Sequence, residues 1–152
     1  MSIRAKLTDD MKTAMKAKDA DRLSIIRMAL AKFKEADIEY RLKGNDTIPE
    51  AELISVITKM VKQRTESAKM YDDNDRLDAA LKERAEIAVL QEYLPKPLTE
   101  SETLEAVKTA IATIKATEPN DTGKVVAHLK EHYAGQIDFG KIVPTIRGLL
   151  GA

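Results

Sequence analysis

The chain has 152 residues, of which 43% are hydrophobic and 33% are charged, and its 25 basic and 25 acidic residues give a formal net charge of zero. This composition suits amphipathic helices around a modest core better than a disordered chain. The core must be aliphatic, because Trp is absent and only 2 Phe occur. The absence of Cys excludes disulfides, thiolate metal sites and a cysteine nucleophile.

The first two predicted helices carry apolar residues at helical spacing. Ser2 and Asp19 stand before them, and both residue types cap helix N-termini well. The second helix is predicted to end before Gly44. The two apolar stripes are Ile3, Leu7, Met11 and Met15, followed by Leu23, Ile26, Leu30 and Phe33.

Two further helices are predicted before residue 95. Thr47 and Glu50 have the spacing of a capping box, with Pro49 in the first turn, and so predict the start of the third helix. Residues 72–74 predict the turn before the fourth helix. The apolar residues of the third helix are Leu53, Ile57, Met60, Val61, Ala68 and Tyr71. Those of the fourth are Leu77, Leu81, Ile87 or Ala88, and Leu94.

Residues 95–98 contain two prolines and predict a stiff hinge. Pro95 and Pro97 lack amide hydrogens and bias the preceding residues away from helical angles, so the fourth helix is expected to end near Leu94. Thr99 and Glu102 form a second capping-box pattern, which predicts a new helix immediately afterwards. An ordinary turn between helices of one domain is the alternative interpretation.

Three shorter helices are predicted beyond the hinge. Leu104, Val107, Ile111 and Ile114 mark the first of them. The second spans Gly123 to Tyr133, and the third follows the capping residue Asp138. Pro144 lies inside the last pattern and predicts a kink or a late start of that helix.

No segment alternates with period two, so no sheet is expected. We therefore predict an all-α protein with three parts. Residues 1–94 form an N-terminal bundle, or pair of hairpins, of about four helices. Residues 95–98 form the hinge, and residues 99–152 form a small C-terminal domain of three helices.

The N-terminus shows no secretory signal and no stretch approaches the roughly 20 apolar residues of a membrane helix. These features predict a soluble, cytoplasmic protein with no membrane partner. Charge is uneven, because residues 1–44 carry 11 Lys and Arg against 7 Asp and Glu, a local charge of +4. A neutral total argues against a non-specific nucleic-acid binder, but a local basic face remains compatible with selective binding.

The string from His128 to His132 matches the H-x-x-E-H order of one class of zinc peptidase. Two histidines four residues apart lie on one helix face, but a catalytic zinc needs a third protein ligand. No feature of the sequence identifies such a ligand on a neighbouring helix. Two solvated surface histidines are the alternative that we favour. Ser24 and Ser67 lack a nucleophile elbow, and Gly123-Lys124 lacks the upstream glycine of a phosphate loop. We therefore predict no catalytic residue, no metal site and no cofactor.

Basic side chains are the more informative candidates. We predict RNA contacts by Arg22, Lys59, Lys62 and Arg64, with Lys124 at a helix N-terminus as a second patch. Arg27 is expected close to the buried stripe of the second helix. For Arg27 and Arg64 an internal ion pair is an equal alternative, and Glu83 and Glu86 are candidate partners.

Four strings resemble the YqeY-like family in their order and spacing. They are residues 21–28 (DRLSIIRM), 61–67 (VKQRTES), 86–95 (EIAVLQEYLP) and 123–126 (GKVV). The resemblance covers essentially the whole chain. It implies an all-helical protein with a smaller C-terminal helical domain, similar to the C-terminal tail of the B subunit of the glutamine-dependent aminoacyl-tRNA amidotransferase.

In those enzymes the tail contacts tRNA, whereas amide transfer occurs in other domains. The resemblance therefore implies a stand-alone tRNA-binding or tRNA-amidotransferase-accessory module, with tRNA and an amidotransferase or synthetase as partners and without DNA binding. A family label of carbon–nitrogen ligase with glutamine as amido-N-donor would describe the larger enzyme, and we expect no catalysis by this chain alone. Two alternatives stay open, a helical protein-interaction adaptor and a metal-dependent hydrolase using His128 and His132.

Overall fold

The computed structural model describes residues 2–151, which contain seven α-helices and no strand. This confirms the predicted all-α class. The helices are α1 (Ile3–Lys16), α2 (Ala20–Leu42), α3 (Glu50–Asp73), α4 (Leu77–Gln91), α5 (Glu100–Ile114), α6 (Thr122–Tyr133) and α7 (Phe139–Leu149). A 3₁₀ turn at Pro119–Asp121 precedes α6. Within the described residues no helix has the length and apolarity needed to cross a membrane.

The helices pack into two compact units that divide between Leu94 and Pro95. In the N-terminal unit, α1 to α4 surround a core that includes Leu7, Ile26, Phe33 and Ile57. Residues 1 and 152, the outer ends of the two predicted domains, lie outside the described residues. The assignment of residues 95–98 as a hinge stays a prediction.

The caps predicted at the starts of the first two helices are confirmed. Ser2 and Asp19 accept the amides of Ala5 and Arg22, at the starts of α1 and α2. The capping box predicted at Thr47 is wrong.

Helix α3 begins after Pro49 without a side-chain cap. The Glu50 carboxylate instead accepts the backbone amide of Ile3 at 2.5 Å, which connects α3 to α1. A hydrogen bond to a residue 47 positions away takes the place of the local one.

Four of the predicted apolar stripes are wrong in part. Met15 of α1 and Leu104 of α5 are exposed, although the sequence pattern predicts both on buried faces. In α4 the side chains of Leu77 and Leu81 are exposed, and the buried residues are Ala80 and Leu90. The small Ala80 side chain is fully buried, so α4 approaches its neighbours on that face and turns the two leucines outward. In α2 the stripe is rotated, because Ile25, Ile26, Ala29 and Phe33 are buried while Leu23 and Leu30 are half-buried.

The C-terminal unit packs α5, α6 and α7 around a second core that includes Val107, Val125, Leu129 and Ile146. The capping box of Thr99 and Glu102 is confirmed at the start of α5. The Leu98 amide donates to the carbonyl of Gln136 at 3.0 Å, and the Gln136 side-chain amide donates to the Lys96 carbonyl at 3.0 Å. These bonds attach the chain before α5 to the segment after α6.

Helix α7 begins immediately after its cap, because the Asp138 carboxylate accepts the amides of Gly140 and Lys141. The alternative of a late start is therefore wrong. The helix continues through Pro144, which lies inside it. Proline lacks an amide, so the helix has one backbone hydrogen bond fewer at this position.

Candidate nucleic-acid interface

Arg22 lies in the first turn of α2 and joins it to the end of α4. Its two terminal nitrogens lie 2.8 and 3.0 Å from the carboxylate oxygens of Glu92, in a bidentate ion pair. The side-chain hydrogen bond to Glu92 raises the pKa of Arg22 above its usual value. Lys6 donates to the backbone carbonyl of Glu92 at 3.3 Å. A phosphate would have to displace a carboxylate to reach Arg22, so this residue has a structural role in the fold.

Arg64 is held in an internal ion pair. Its Nε lies 2.8 Å from Oε2 of Glu86, and the two side chains are only 12% and 23% exposed. A second nitrogen donates to the carbonyl of Met60 at 3.3 Å, one turn earlier in α3. Of the two interpretations offered for Arg64, the structure supports the ion pair, with one of the two expected carboxylates.

Arg27 has neither of the environments expected for it. Because the stripe of α2 is centred on Ile25, Ile26 and Ala29, the Arg27 side chain is exposed rather than near the core. No carboxylate lies within 4.0 Å of it in the described part of the chain. The expected need for an internal partner is therefore wrong, and its charge is available at the surface.

Lys59 and Lys62 are both exposed on α3 but differ in their surroundings. Lys59 lines a shallow groove between α2 and α3, and the α2 wall of that groove carries Glu35 and Glu39. Glu35 pairs with Lys32 at 3.3 Å, and Lys59 itself has no ion-pair partner among residues 2–151. Lys62 likewise has no ion-pair partner among residues 2–151, so Lys59 and Lys62 are the two unpaired charges of the four N-terminal cations predicted to contact RNA.

Sequence reasoning missed a row of cations on α2. Arg27, Lys34 and Arg41 are seven residues apart, which places them on one face with a rise of about 10 Å between neighbours. All three are exposed, and none has an ion pair within the described range. We call these three residues the α2 basic face. Their heptad spacing was the signal in the sequence that identifies them.

Lys124, the predicted second patch, lies in the first turn of α6. Its Nζ is 3.8 Å from the Asp121 carboxylate, which also accepts the backbone amides of Thr117 and Glu118 at 3.0 and 3.3 Å. These amides, Thr117 first, lower the pKa of Asp121 and keep it ionised. An anion thus already occupies the start of α6, which weakens the case for a phosphate there.

A groove of about 760 Å³ runs between α2 and α4, lined by five apolar and six polar or charged side chains. Met28 and Leu81 line it and are 42% and 66% exposed. Ile25 and Val89 lie deeper in the same groove, and Arg22 and Glu86 are among its polar residues. This surface is the kind that the adaptor alternative predicts.

Comparison with known proteins identifies relatives over most of the chain. The family described as Yqey-like protein matches residues 4–150, which confirms the resemblance seen in the sequence. The chain is similar to "Altered inheritance of mitochondria protein 41, mitochondrial" from Candida glabrata, with 34% identity over 75% of this chain and 63% of the relative. The proteins of that name from Kluyveromyces lactis and Saccharomyces cerevisiae YJM789 are 35% and 30% identical, covering 76% and 91% of this chain and 62% and 71% of the relatives. The chain thus spans less than two thirds of the length of the Candida and Kluyveromyces proteins.

These names contradict the cytoplasmic localisation predicted from the sequence, because the matched relatives are named as mitochondrial proteins. The cytoplasmic prediction rested on the absence of a secretory signal and of a membrane helix, and neither absence bears on import into mitochondria. The search for a secretory leader looks for an apolar run, whereas mitochondrial targeting segments are amphipathic and rich in Arg and Ser. The absence of Cys does not discriminate between the two compartments either.

Proposed function

This chain belongs to the YqeY-like family, and we propose that it is a stand-alone module that binds tRNA, or assists a tRNA amidotransferase, without catalysis of its own. The observation that supports the proposal most directly is the α2 basic face, Arg27, Lys34 and Arg41, where three exposed cations lack ion pairs within residues 2–151. Lys62 on α3 adds a fourth uncompensated charge. Cations of this kind contact phosphates without first breaking an internal ion pair.

A row of cations on a helix suits structured RNA better than a deep pocket would. Double-stranded RNA is recognised largely by shape and by phosphate and ribose contacts, because its major groove is too narrow for side chains to read. Successive members of the α2 basic face are separated by about 10 Å along the helix, so the row suits several phosphates along an RNA backbone rather than one phosphate group. The local charge of +4 over residues 1–44 attracts a polyanion although the whole chain is neutral.

The test is binding of total tRNA to the full chain over a series of salt concentrations, with charge-matched variants. Lys34→Gln/Arg41→Gln removes two charges from the α2 basic face, and Lys108→Gln/Lys141→Gln removes two exposed charges from the C-terminal unit. We expect the first pair to weaken binding and to make the salt dependence shallower, by about 1 in log–log slope for each phosphate that the variant no longer neutralises. Lys62→Gln is expected to give a smaller effect of the same kind.

Equal effects of the two double variants would show that only net charge matters and would refute the assignment to α2. No binding of tRNA at low salt would overturn the proposal of RNA binding by this chain. A preference for one aminoacylated tRNA over its deacylated form would favour the amidotransferase-accessory role over simple tRNA binding.

The second candidate is a protein-interaction adaptor, which the groove between α2 and α4 favours. Exposed Met28 and Leu81 offer an apolar surface to an amphipathic helix of an aminoacyl-tRNA amidotransferase or synthetase. This candidate predicts that binding to the purified enzyme is abolished in Met28→Gln/Leu81→Gln and unaffected by Lys62→Gln. The tRNA-binding proposal predicts that Lys62→Gln weakens tRNA binding and that Met28→Gln/Leu81→Gln leaves it unchanged. The two sets of variants therefore distinguish the two candidate functions.

A further inference from the structure

Three potential metal ligands converge on the outer face of α6. His128, Glu131 and His132 each present a ligand atom, and these atoms all lie within 4.8 Å of one another. The centroids of the two imidazole rings are 4.6 Å apart, with an angle of 52° between the ring planes. The sequence suggested a two-histidine pair lacking a third ligand from another helix. The structure brings the third ligand from the same helix.

Helix geometry accounts for this convergence. Residues three and four apart are neighbours on a helix surface, so His128 lies close to both Glu131 and His132. The adjoining face of α6 is anchored in the C-terminal core by Val125 and Leu129, which are fully buried. The backbone that carries the three ligands is therefore fixed, and binding an ion requires only side-chain rotations.

We propose that His128, Glu131 and His132 form a surface site for a divalent transition-metal ion of the zinc, nickel or copper type. Two imidazoles and one carboxylate suit these ions, whereas Mg²⁺ and Ca²⁺ prefer sites made of oxygen ligands. Both histidines are uncharged when they coordinate, so Glu131 supplies the only negative charge. The three ligands leave at least one coordination position for water.

The site is a binding site rather than a hydrolytic centre. Glu131 and His132 are exposed and His128 is half-buried, so no walled pocket surrounds the open coordination position. Bridging successive turns would hold α6 in its helical form, and an ion that binds only the folded chain stabilises it. This inference does not rest on RNA binding or on any partner.

The first test is calorimetric titration of Zn²⁺ into the full chain in a buffer that does not chelate metals. We expect one saturable site per chain. We also expect His132→Gln to weaken Zn²⁺ binding by at least about tenfold, since even changes outside the ligand shell cost about 10–100-fold in metal affinity. Glu131→Gln is expected to weaken binding as well. Glu105→Gln is the matched control, because it removes an exposed carboxylate from α5 in the same unit.

Imidazole NMR signals of the same sample provide a second readout that does not depend on the variants folding. Both histidine rings are expected to shift together and to stop shifting at one equivalent of Zn²⁺. Wild-type affinity in His132→Gln, or the absence of saturable binding, would overturn the proposal. Unchanged affinity in Glu131→Gln would overturn the three-ligand assignment.

Discussion

Replacing Arg64 by Ala is expected to destabilise the N-terminal unit by about 2 kcal/mol, because hydrogen bonds to charged groups contribute about 1.5–3 kcal/mol. The substitution removes the partner of Glu86, whose carboxylate lies 2.8 Å from Arg64 Nε and is only 23% exposed. Full burial of an unpaired charge would cost about 3–5 kcal/mol, and the partial exposure of this pair places the expected destabilisation below that range. Lys62→Ala, two residues away on the exposed face of α3, is expected to change stability by less than about 0.5 kcal/mol.

The measurement is urea unfolding followed by tyrosine fluorescence. Three of the 4 Tyr residues, at positions 40, 71 and 93, lie in the N-terminal unit, so the signal reports mainly on that unit. A destabilisation of about 2 kcal/mol corresponds to a fall in melting temperature on the order of 10 °C for a unit of this size. The double-mutant cycle of Arg64→Ala and Glu86→Ala is expected to show a coupling energy of about 1–2 kcal/mol.

The reasoning would be refuted if Arg64→Ala were as stable as the wild type and the cycle were additive within about 0.5 kcal/mol. Arg64 would then be available for a ligand. Under the structural assignment, Arg64→Ala changes stability as well as charge, so Lys62→Ala, with stability close to wild type, would be the cleaner test of phosphate binding.

Three further predictions concern the fold. Tyr93→Phe removes the hydroxyl that donates to Asp10 at 2.5 Å and should lower the free energy of unfolding by about 1–2 kcal/mol in the same urea assay. Burial raises the pKa of Tyr93, so the folded chain favours the protonated form, and the free energy of unfolding should be highest below the ordinary tyrosine pKa and fall above it. A free energy of unfolding that stays constant between about pH 9 and 11 would contradict this. Leu90→Ala should lower the free energy of unfolding by about 2–5 kcal/mol, because Leu90 is buried, whereas Leu81→Ala, at an exposed position, should lower it by less than about 0.5 kcal/mol. Equal effects of the two substitutions would contradict the observed orientation of α4. Thr99→Ala should destabilise α5 by about 1 kcal/mol, and hydrogen exchange of its first-turn amides should accelerate; unchanged exchange would show that the cap contributes nothing.

Much of the secondary structure was predictable because it depends on short-range chemistry. A cap acts within about three residues, so Ser2, Asp19 and Thr99 were identified from the sequence and are found at helix starts. The same logic failed at Thr47, because the Glu50 carboxylate bonds to Ile3 instead. A local pattern shows which bonds are possible, and the rest of the chain decides which of them form.

The buried faces were less predictable than the helices themselves. Leu77 and Leu81 have the spacing of an inward stripe, yet both are exposed while the smaller Ala80 is buried. Hydrophobic periodicity indicates which side chains share a face. It does not indicate how closely two helices approach, and a close approach favours a small residue at the contact.

The candidate site was the least predictable part. Arg22, Arg64 and Lys62 look alike in the sequence, as basic residues on amphipathic helices. Their partners Glu92 and Glu86 lie 70 and 22 residues away from Arg22 and Arg64. The row at Arg27, Lys34 and Arg41 was visible as a seven-residue spacing, but its importance follows from the exposure of all three side chains and the absence of ion pairs to them among residues 2–151.

The sequence by itself determined the all-α class, the approximate helices, the local caps and the family, because these depend on the order and spacing of nearby residues. Local helix geometry also places Glu131 beside His128 and His132. Only the tertiary structure decided which cations are available at the surface. The charge of Arg22 is the same in any conformation, but its availability depends on whether folding brings Glu92 to within 2.8 Å. Such distances are fixed by helix packing, which places residues far apart in the chain side by side.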